Sequence, residues 1–201
     1  MGGPWAGEGT ADSGAALLEV LVVAVLVIAL AMMAVPLTAQ AADAAAARAA
    51  AAYLAGRVRQ AHLQSVAGNR TTAVVFDQRA EGGWALRRCS DGNGNGVRRA
   101  EMAAGDDPCQ TPTQEFAGLF PGTSLTLAPN TPDLDGEGGT TAGVRFGRSA
   151  MASCSPLGSC TPGTLYLRSA RGQQFAVRVS ASAGRTRVWR FDSGIQQWTP
   201  D

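Results

Sequence analysis

The segment DGNGNGVRRAE, which begins at Asp91, carries oxygen side chains that could bind a cation. Asp91, Asn93 and Asn95 alternate with glycines, and this D-x-N-x-N-G pattern matches the start of a calcium loop, in which alternating oxygen side chains converge on the ion. The closing carboxylate of such a loop would fall at Met102, whereas the glutamate here is Glu101, one residue earlier. Asx turns, in which these side chains bind nearby backbone N–H groups, explain the same residues without a metal. A calcium site at Asp91, Asn93, Asn95 and Glu101 and a metal-free turn are therefore both open, and no other cofactor is expected.

A second segment, SAGRTRVWRF, offers side chains that bind phosphate. On a β-strand Arg185, Arg187 and Trp189 would share one face, and Gly184 would sit in the turn before them. A guanidinium can bind phosphate oxygens through two parallel hydrogen bonds, and a neighbouring aromatic ring can stack on a base. A role limited to shaping the hairpin or a subunit interface explains the same residues. Two further arginines could make additional phosphate contacts: Arg171 and Arg178.

Positive charge is distributed unevenly along the chain. The net charge is only +1, and all 17 basic residues are arginine. From Arg145 to Asp201 there are eight arginines and two acids, a local excess of six positive charges. A GC-rich genome would explain arginine in place of lysine, but it would not explain this clustering. The net charge alone argues against a polyanionic partner, whereas this local excess of positive charge is compatible with one.

The sequence contains no recognisable catalytic set, and we expect a protein that is not an enzyme. Its one histidine, His62, lies in a predicted helix, where we expect it to pack or to line the rim of the core. No glycine-rich loop follows a strand and opens a helix, as a nucleotide site would require. The acid pairs Asp106-Asp107 and Asp133/Asp135 lie among glycines and prolines, where solvated turns account for them.

Four cysteines occur beyond the apolar N-terminal run: Cys89, Cys109, Cys154 and Cys160. Their spacings do not form the paired C-x-x-C pattern of a zinc site. An even number of thiols outside a membrane anchor indicates disulfides in an oxidising compartment. Pairing Cys89 with Cys109 and Cys154 with Cys160 would close two short loops that contain Gly and Pro. We favour that connectivity, and free thiols are the alternative.

The element that precedes all of these segments is a long apolar run. Ala15 to Val35 covers 21 residues, and Glu19 is its only charged residue. A helix of this length spans about 30 Å, which is the hydrocarbon thickness of a bilayer. Burying a carboxylate there costs about 2.5–3.5 kcal/mol on insertion scales. We therefore expect a positive partner for Glu19.

Three interpretations of the run compete. A cleaved secretory signal would use the small residues Ala39-Gln40-Ala41 as its cleavage site, which would release a soluble periplasmic binding protein. The run is longer than an ordinary signal, however, and the residues before it include no Lys or Arg. An ordinary single-span anchor leaves Glu19 unexplained. The third interpretation follows from a family resemblance.

The stretch from Gly14 to Pro36 resembles the N-terminus of type IV pilins and type II secretion pseudopilins. In that family a leader ends in glycine, a prepilin peptidase cleaves after it, and the new N-terminus is methylated. A glutamate is then the fifth residue and a proline commonly the twenty-second, and Glu19 and Pro36 hold these positions after Gly14. Ala15 departs from the usual phenylalanine. The resemblance implies a 1–14 leader and a fibre in which Glu19 pairs with a neighbouring N-terminal amine.

The residues after the run predict a helix followed by a β-rich head. Alanine favours helix, and Leu54, Val58 and Ala61, with His62 and Val66, mark one packing face. We predict one helix from 15 to 67, of which 15–36 is the transmembrane and assembly half and 37–69 the amphipathic half. Residues 70–201 form the head, with a long loop region over 90–139. Seven segments read as strands: TTAVVFDQ, GGWALRRC, TSLTLA, GVRFGR, TLYLRS, QQFAVRVS and RTRVWRF.

The order of these elements predicts an α+β protein, and it is similar to minor pseudopilins of the GspH/FimT type. Arg171-Gly172 and Ala183-Gly184 are predicted hairpin turns. The segment from Gly184 to Arg187 also resembles the G-R-x-R motif of minor pilins that bind DNA in natural transformation. The resemblance implies a pilin fold, a periplasmic head, a single-pass inner-membrane helix, and assembly with other pilins or pseudopilins. It also implies contact with double-stranded DNA through Arg185 and Arg187.

Overall fold

A long helix precedes two antiparallel sheets in the computed structural model, which describes residues 11–80, 82–136 and 141–201. The arrangement is α+β, as predicted. The chain divides into two compact units, Met1–Ala42 and Asp43–Asp201. The second unit contains the last part of the long helix together with both sheets.

The long helix, α1, covers Ala11–Ala67, so it ends where the sequence predicted and begins slightly earlier. Pro36 lies inside it. Within the second unit, its buried residues are mostly alanines three or four positions apart, which lets the sheets approach the helix backbone. They are Ala47, Ala50, Ala51, Leu54, Ala55, Val58, Ala61 and Ser65. Val66 was predicted on this face but is 49% exposed, and Ser65 is buried there instead, donating its hydroxyl to the carbonyls of His62 and Ser155.

The first sheet has the strand order β3-β2-β1-β5. Its central hairpin pairs β1, Thr72–Gln78, with β2, Trp84–Ser90. The edges are β3, Gln114–Glu115, and β5, Met151–Cys154. Both central strands were predicted, whereas β5 was not, because its sequence MASC is short and shows no strong alternation.

The second sheet has the order β4-β6-β7-β8-β9. Its three long strands are β6, Gly163–Arg168, β7, Gln174–Val179, and β8, Thr186–Asp192. The edges are β4, Val144–Arg145, and β9, Gln197–Pro200. Arg171-Gly172 and Ala183-Gly184 lie in the two connections that join β6 to β7 and β7 to β8, as predicted.

The main core lies between α1 and one face of each sheet. From the first sheet it takes Val74, Phe76 and Leu86, and from the second Leu165, Phe175, Val177 and other apolar residues. Because strand side chains alternate, every second residue of these strands points to α1. Phe76 and Phe146 stack with ring centroids 5.8 Å apart within this core.

Parts of the 90–139 connection pack on the outer face of each sheet. It contains α2, Arg99–Ala104, the strand β3, and α3, Phe116–Leu119, so it holds more regular structure than the sequence predicted. A first satellite cluster outside the first sheet consists of Ala73, Val75, Cys89, Val97 and Met151. A second satellite cluster outside the second sheet consists of Leu127, Tyr166 and Ala176, with Leu134, Trp189 and Trp198 packed against it.

One strand prediction is wrong. The segment TSLTLA forms two isolated bridges, Ser124 with Arg168 and Thr126 with Ala142, in place of a continuous strand. Leu125 and Leu127 are nevertheless buried, Leu125 in the main core and Leu127 in the second satellite cluster. A strand with this alternation would turn both leucines to the same face, so the pattern correctly indicated burial but predicted neither the isolated bridges nor the two separate clusters.

Candidate functional site

The apolar part of α1 exposes large side chains along its length. Leu17, Leu30 and Met32 are 72%, 68% and 73% exposed. The helix is long and apolar enough to cross a membrane by its length and composition. Such a continuous exposed apolar surface is larger than soluble monomers ordinarily carry, so it needs lipid or other helices to cover it.

The residues of the processing motif lie on this helix. Gly14, Glu19 and Pro36 are exposed, and the side chain of Ala15 lies outside the described residues. Glu19 is the only charged residue between Ala16 and Pro36 and is surrounded in sequence by Leu, Val and Ala. Residues 1–10 of the predicted leader lie outside the described residues.

The loop that begins at Asp91 is held by its own hydrogen bonds. One Asp91 carboxylate oxygen accepts from the N–H groups of Asn93 and Gly94, at 3.1 and 2.7 Å, and the other accepts from Gly96 at 2.8 Å. Burial acts to raise the pKa of the Asp91 carboxyl, but these backbone donors hold that pKa below its ordinary value. Glu101 accepts from the side-chain amides of Asn93 and Asn95 at 3.2 and 2.8 Å.

These contacts are those of Asx turns. The oxygens of Asp91 that a calcium ion would use face backbone N–H groups, and Arg98 lies 3.7 Å from Glu101. Within the described parts of the chain, no three His, Cys, Asp or Glu side chains form a metal-binding group. The loop conformation is thus accounted for by hydrogen bonds within the protein.

Each disulfide joins two consecutive cysteines of the chain, which is the connectivity predicted from the sequence. Cys89 is bonded to Cys109 and Cys154 to Cys160. The first ties the loop after β2 to the first sheet, and the second closes the loop after β5.

The second disulfide supports the turn that precedes β8. A Cβ atom at Gly184 would lie 2.7 Å from Cys160 Sγ and 3.0 Å from His62 Cγ. Gly184 has φ +53°, and it is buried, so glycine is required here both for conformation and for space. His62 Nε2 is buried without a hydrogen-bond partner among the described residues. The histidine therefore packs at the rim of the core, against the turn that carries Arg185.

Strand register brings several polar residues into one row on the outer face of the second sheet. Arg145 lies opposite Thr164, Thr164 opposite Arg178, and Arg178 opposite Arg187. Directly opposed residues of antiparallel strands share a face, with Cβ atoms about 4.5–5.5 Å apart. We call these four residues the arginine row. Arg185 is exposed just before β8, at the end of the sheet where the row lies.

Two of the three arginines in the row are paired with acids from the 90–139 connection. Arg145 lies 2.7 Å from Asp133, and Arg178 lies 2.6 Å from Asp135. The hydrogen bond to Asp135, opposed by partial burial, raises the pKa of the Arg178 guanidinium above its ordinary value. Among the described residues no acid lies within ion-pair distance of Arg187. The arginine row therefore contains two guanidinium groups paired with carboxylates, those of Arg145 and Arg178, and one, that of Arg187, with no acid beside it among the described residues.

Two of the predicted phosphate-binding residues differ from the rest in position or in burial. Arg171 lies in the turn between β6 and β7, at the opposite end of β7 from Arg185, and about 20 Å of strand separates them. Its backbone N–H donates to Asp43 at 3.2 Å. Trp189 is half-buried and packs in the second satellite cluster, so less of its ring is open for stacking on a base.

Sequence reasoning missed the two residues that extend the row, Arg145 and Thr164, and read Asp133 and Asp135 only as solvated turn residues. Arg145 belongs to the segment GVRFGR, which predicted a strand but not which strand it pairs with. Asp133 is buried with 6% exposure, which a residue in a Gly- and Pro-rich loop gave no reason to expect. The excess of arginine after residue 145 was the one sequence signal that could have pointed to the row.

No known protein family, curated protein or solved structure matches the chain.

Proposed function

We propose that the chain is a minor subunit of a pilin-type fibre, either a type IV pilus or a type II secretion pseudopilus. The observation that carries the proposal is the exposed apolar helix with one acid near its start, Glu19, five residues after Gly14. In this proposal a prepilin peptidase cleaves after Gly14, and the helix first spans the inner membrane. The head then lies in the periplasm and later at or near the tip of the fibre.

Electrostatics and burial support this function. The exposed leucines and valines of α1 would be covered by lipid before assembly and by neighbouring helices afterwards. In the fibre, Glu19 would pair with the N-terminal amine of a neighbouring subunit, so two charges that are costly in an apolar setting would neutralise each other. The α+β layout, with a helix packed on antiparallel sheets, is compatible with the pilin architecture. An oxidising periplasm would maintain both disulfides.

The mature N-terminus tests the processing step. Mass spectrometry of the protein purified from the membranes of its own cells should find a chain that begins at an N-methylated Ala15. A chain that begins beyond the apolar run, for example at Ala42, would overturn the proposal in favour of a soluble periplasmic protein.

The assembly step is tested by replacing the acid. We expect Glu19→Gln to reduce the amount of protein in the sheared fibre fraction by at least about tenfold, because the neighbouring amine would be left unpaired. Gln40→Ala, which changes an exposed residue of the same helix without changing charge, is the control and should assemble normally. Normal incorporation of the Glu19→Gln protein would exclude the pairing.

A second function, binding of double-stranded DNA, is supported by the arginines at one end of the second sheet. Arg185 and Arg187 are exposed, and Arg178 is directly opposite Arg187. Guanidinium groups at this spacing can contact phosphates, and binding dominated by such contacts weakens steeply with salt.

DNA binding is tested by fluorescence anisotropy of the full-length protein in a nonionic detergent, with a short fluorescein-labelled duplex. Replacing Arg185 and Arg187 together with Gln should make the negative slope of log affinity against log salt shallower by up to about 1.8, or 0.9 for each lost phosphate contact. Replacing Arg70 and Arg148, which are also exposed, with Gln removes the same charge outside the β7–β8 hairpin and is the matched control. Equal effects of the two pairs would count against a specific DNA surface.

A further inference from the structure

The acids that pair with the arginine row come from one short segment. We call Asp133, Leu134 and Asp135 the acidic strap. Its two carboxylates, two residues apart, meet two arginines that are also two positions apart in the row, Arg145 and Arg178. The strap thus lies over part of the outer face of the second sheet.

The two ends of the strap are held very differently. The Asp133 carboxylate is 6% exposed and pairs with an Arg145 side chain that is 23% exposed. Asp133 also accepts the N–H of Asp135 at 3.0 Å, and the Leu134 N–H donates to the Tyr166 hydroxyl at 2.9 Å. The Arg145 guanidinium lies over the Tyr166 ring, 4.8 Å from its centroid. Asp133 is therefore the anchored end.

Asp135 is the exposed end. Its carboxylate is 58% exposed, and its partner Arg178 is 35% exposed. An ion pair that is this exposed adds little to stability, so a competing anion can displace it. Arg178 also donates to Thr164 at 3.3 Å, which keeps the guanidinium in the row when Asp135 leaves.

Arg178 also has a positively charged neighbour, Arg187. It lies directly opposite Arg187, and like charges at opposed positions of antiparallel strands repel each other. Asp135 offsets that repulsion for Arg178 only. An anion that contacted both guanidinium groups would neutralise both. The Asp135 carboxylate pairs with Arg178 alone.

We propose that Arg178 and Arg187 form a binding site for a phosphodiester backbone and that Asp135 occupies this site in the unbound protein as an intramolecular competitor. The inference rests on the proposed DNA-binding function and adds its regulation. Phosphate displaces Asp135 from Arg178, while Asp133 remains paired with Arg145 and keeps the strap attached. The strap thereby lowers affinity for isolated phosphate groups and favours ligands with several phosphates.

The test uses the full-length protein in detergent and the same labelled duplex over a series of salt concentrations. Asp135→Asn should bind up to about fivefold more tightly near physiological salt, which is the contribution of one phosphate contact there, and the slope of log affinity against log salt should be steeper by up to about 0.9. Asp106→Asn adds the same charge at an exposed position between α2 and Cys109, and it should leave affinity unchanged. The melting temperature of Asp135→Asn should equal that of the wild type, because the pair it removes is exposed.

A double-mutant comparison separates competition from a general gain of charge. In an Arg178→Gln background, Asp135→Asn should give no gain, because the competitor then has no site to vacate. A gain that persists in that background, or one that Asp106→Asn reproduces, would overturn the inference while leaving DNA binding intact. If the wild type and all variants fail to bind DNA, both the inference and the DNA-binding function are excluded. The fibre proposal is tested separately through Glu19.

Discussion

The two faces of the second sheet use the same strands for different purposes. The face toward α1 presents Leu165, Phe175 and Val177, all of which are buried in the main core. The outer face presents the arginine row beside the smaller cluster around Tyr166. In β7 the two sets alternate residue by residue, so substitutions one position apart should affect different properties.

The comparison separates stability from recognition. Apolar residues that face α1 exclude water and have little contact with any partner in solution. Charged residues on the outer face remain accessible and add little to folding, because exposed ion pairs are weak. We therefore expect the free energy of unfolding to depend on the first face and ligand binding on the second. Substitutions on each face test this division.

Removing a large core side chain from the inner face should have the greatest effect. Phe175 is 2% exposed, and Phe175→Ala should lower the free energy of unfolding by about 3–5 kcal/mol, through lost burial and the cavity that remains. Urea denaturation followed by circular dichroism measures the change. A loss below about 1 kcal/mol would show that this face is not the core on which the head depends.

The turn before β8 should be sensitive because it is crowded. Gly184→Ala places a Cβ 2.7 Å from Cys160 Sγ, whereas a Cβ at Gly172, which also has positive φ, meets no atom within 4 Å. Both changes carry backbone strain, so the crowding should make Gly184→Ala more destabilising by about 1–3 kcal/mol. Thermal melting of the two variants compares them directly. Equal losses would show that the turn does not depend on its contact with the disulfide.

The outer cluster should contribute a smaller amount. Tyr166→Phe removes the hydroxyl that accepts from the Leu134 N–H, so the anchored end of the strap loses one hydrogen bond. We expect a loss of about 1 kcal/mol in the free energy of unfolding and faster hydrogen exchange at the Leu134 amide. Unchanged exchange at Leu134 would mean that this hydrogen bond does not hold the strap.

A charged residue of the row should have the smallest effect on stability. Arg187→Gln should change the free energy of unfolding by no more than about 0.5 kcal/mol, since Arg187 is exposed. The same change should make the slope of log DNA affinity against log salt shallower by about 0.9. A large loss of stability together with normal DNA binding would reverse the comparison between the two faces.

Local patterns in the sequence predicted much of the head. The end of α1 at Ala67, the long strands of both sheets and the two connections that contain Gly172 and Gly184 follow from alanine content, apolar alternation and turn residues. Each of these signals acts over a few neighbouring residues. The strand prediction failed for TSLTLA, where apolar alternation is present but no continuous strand pairing forms. Its leucines are buried, and the segment forms only isolated bridges.

The candidate site was predicted less completely. Arg178, Arg185 and Arg187 were predicted as phosphate contacts and lie at one end of the second sheet, but Arg171 was grouped with them although it lies at the far end of β7. Arg145 and Asp133, which are far apart from Arg187 along the chain, could not be assigned to the same face. The position of Arg145 depends on which strands pair and in what register, because a shift of one residue would move its side chain to the opposite face. Asp133 lies in the 90–139 connection, outside any strand, so its position depends on how that connection packs on the sheet.

The sequence by itself determined the apolar helix with its lone Glu19, the α+β class and the clustering of arginine after residue 145. These properties depend on the composition and periodicity of residues that are close together in the chain. Only the tertiary structure decided that Asp135 pairs with Arg178 while Arg187, directly opposite, has no acid beside it among the described residues. That outcome depends on contacts between segments distant in the chain. Such contacts form only when strand pairing and core packing bring those segments together.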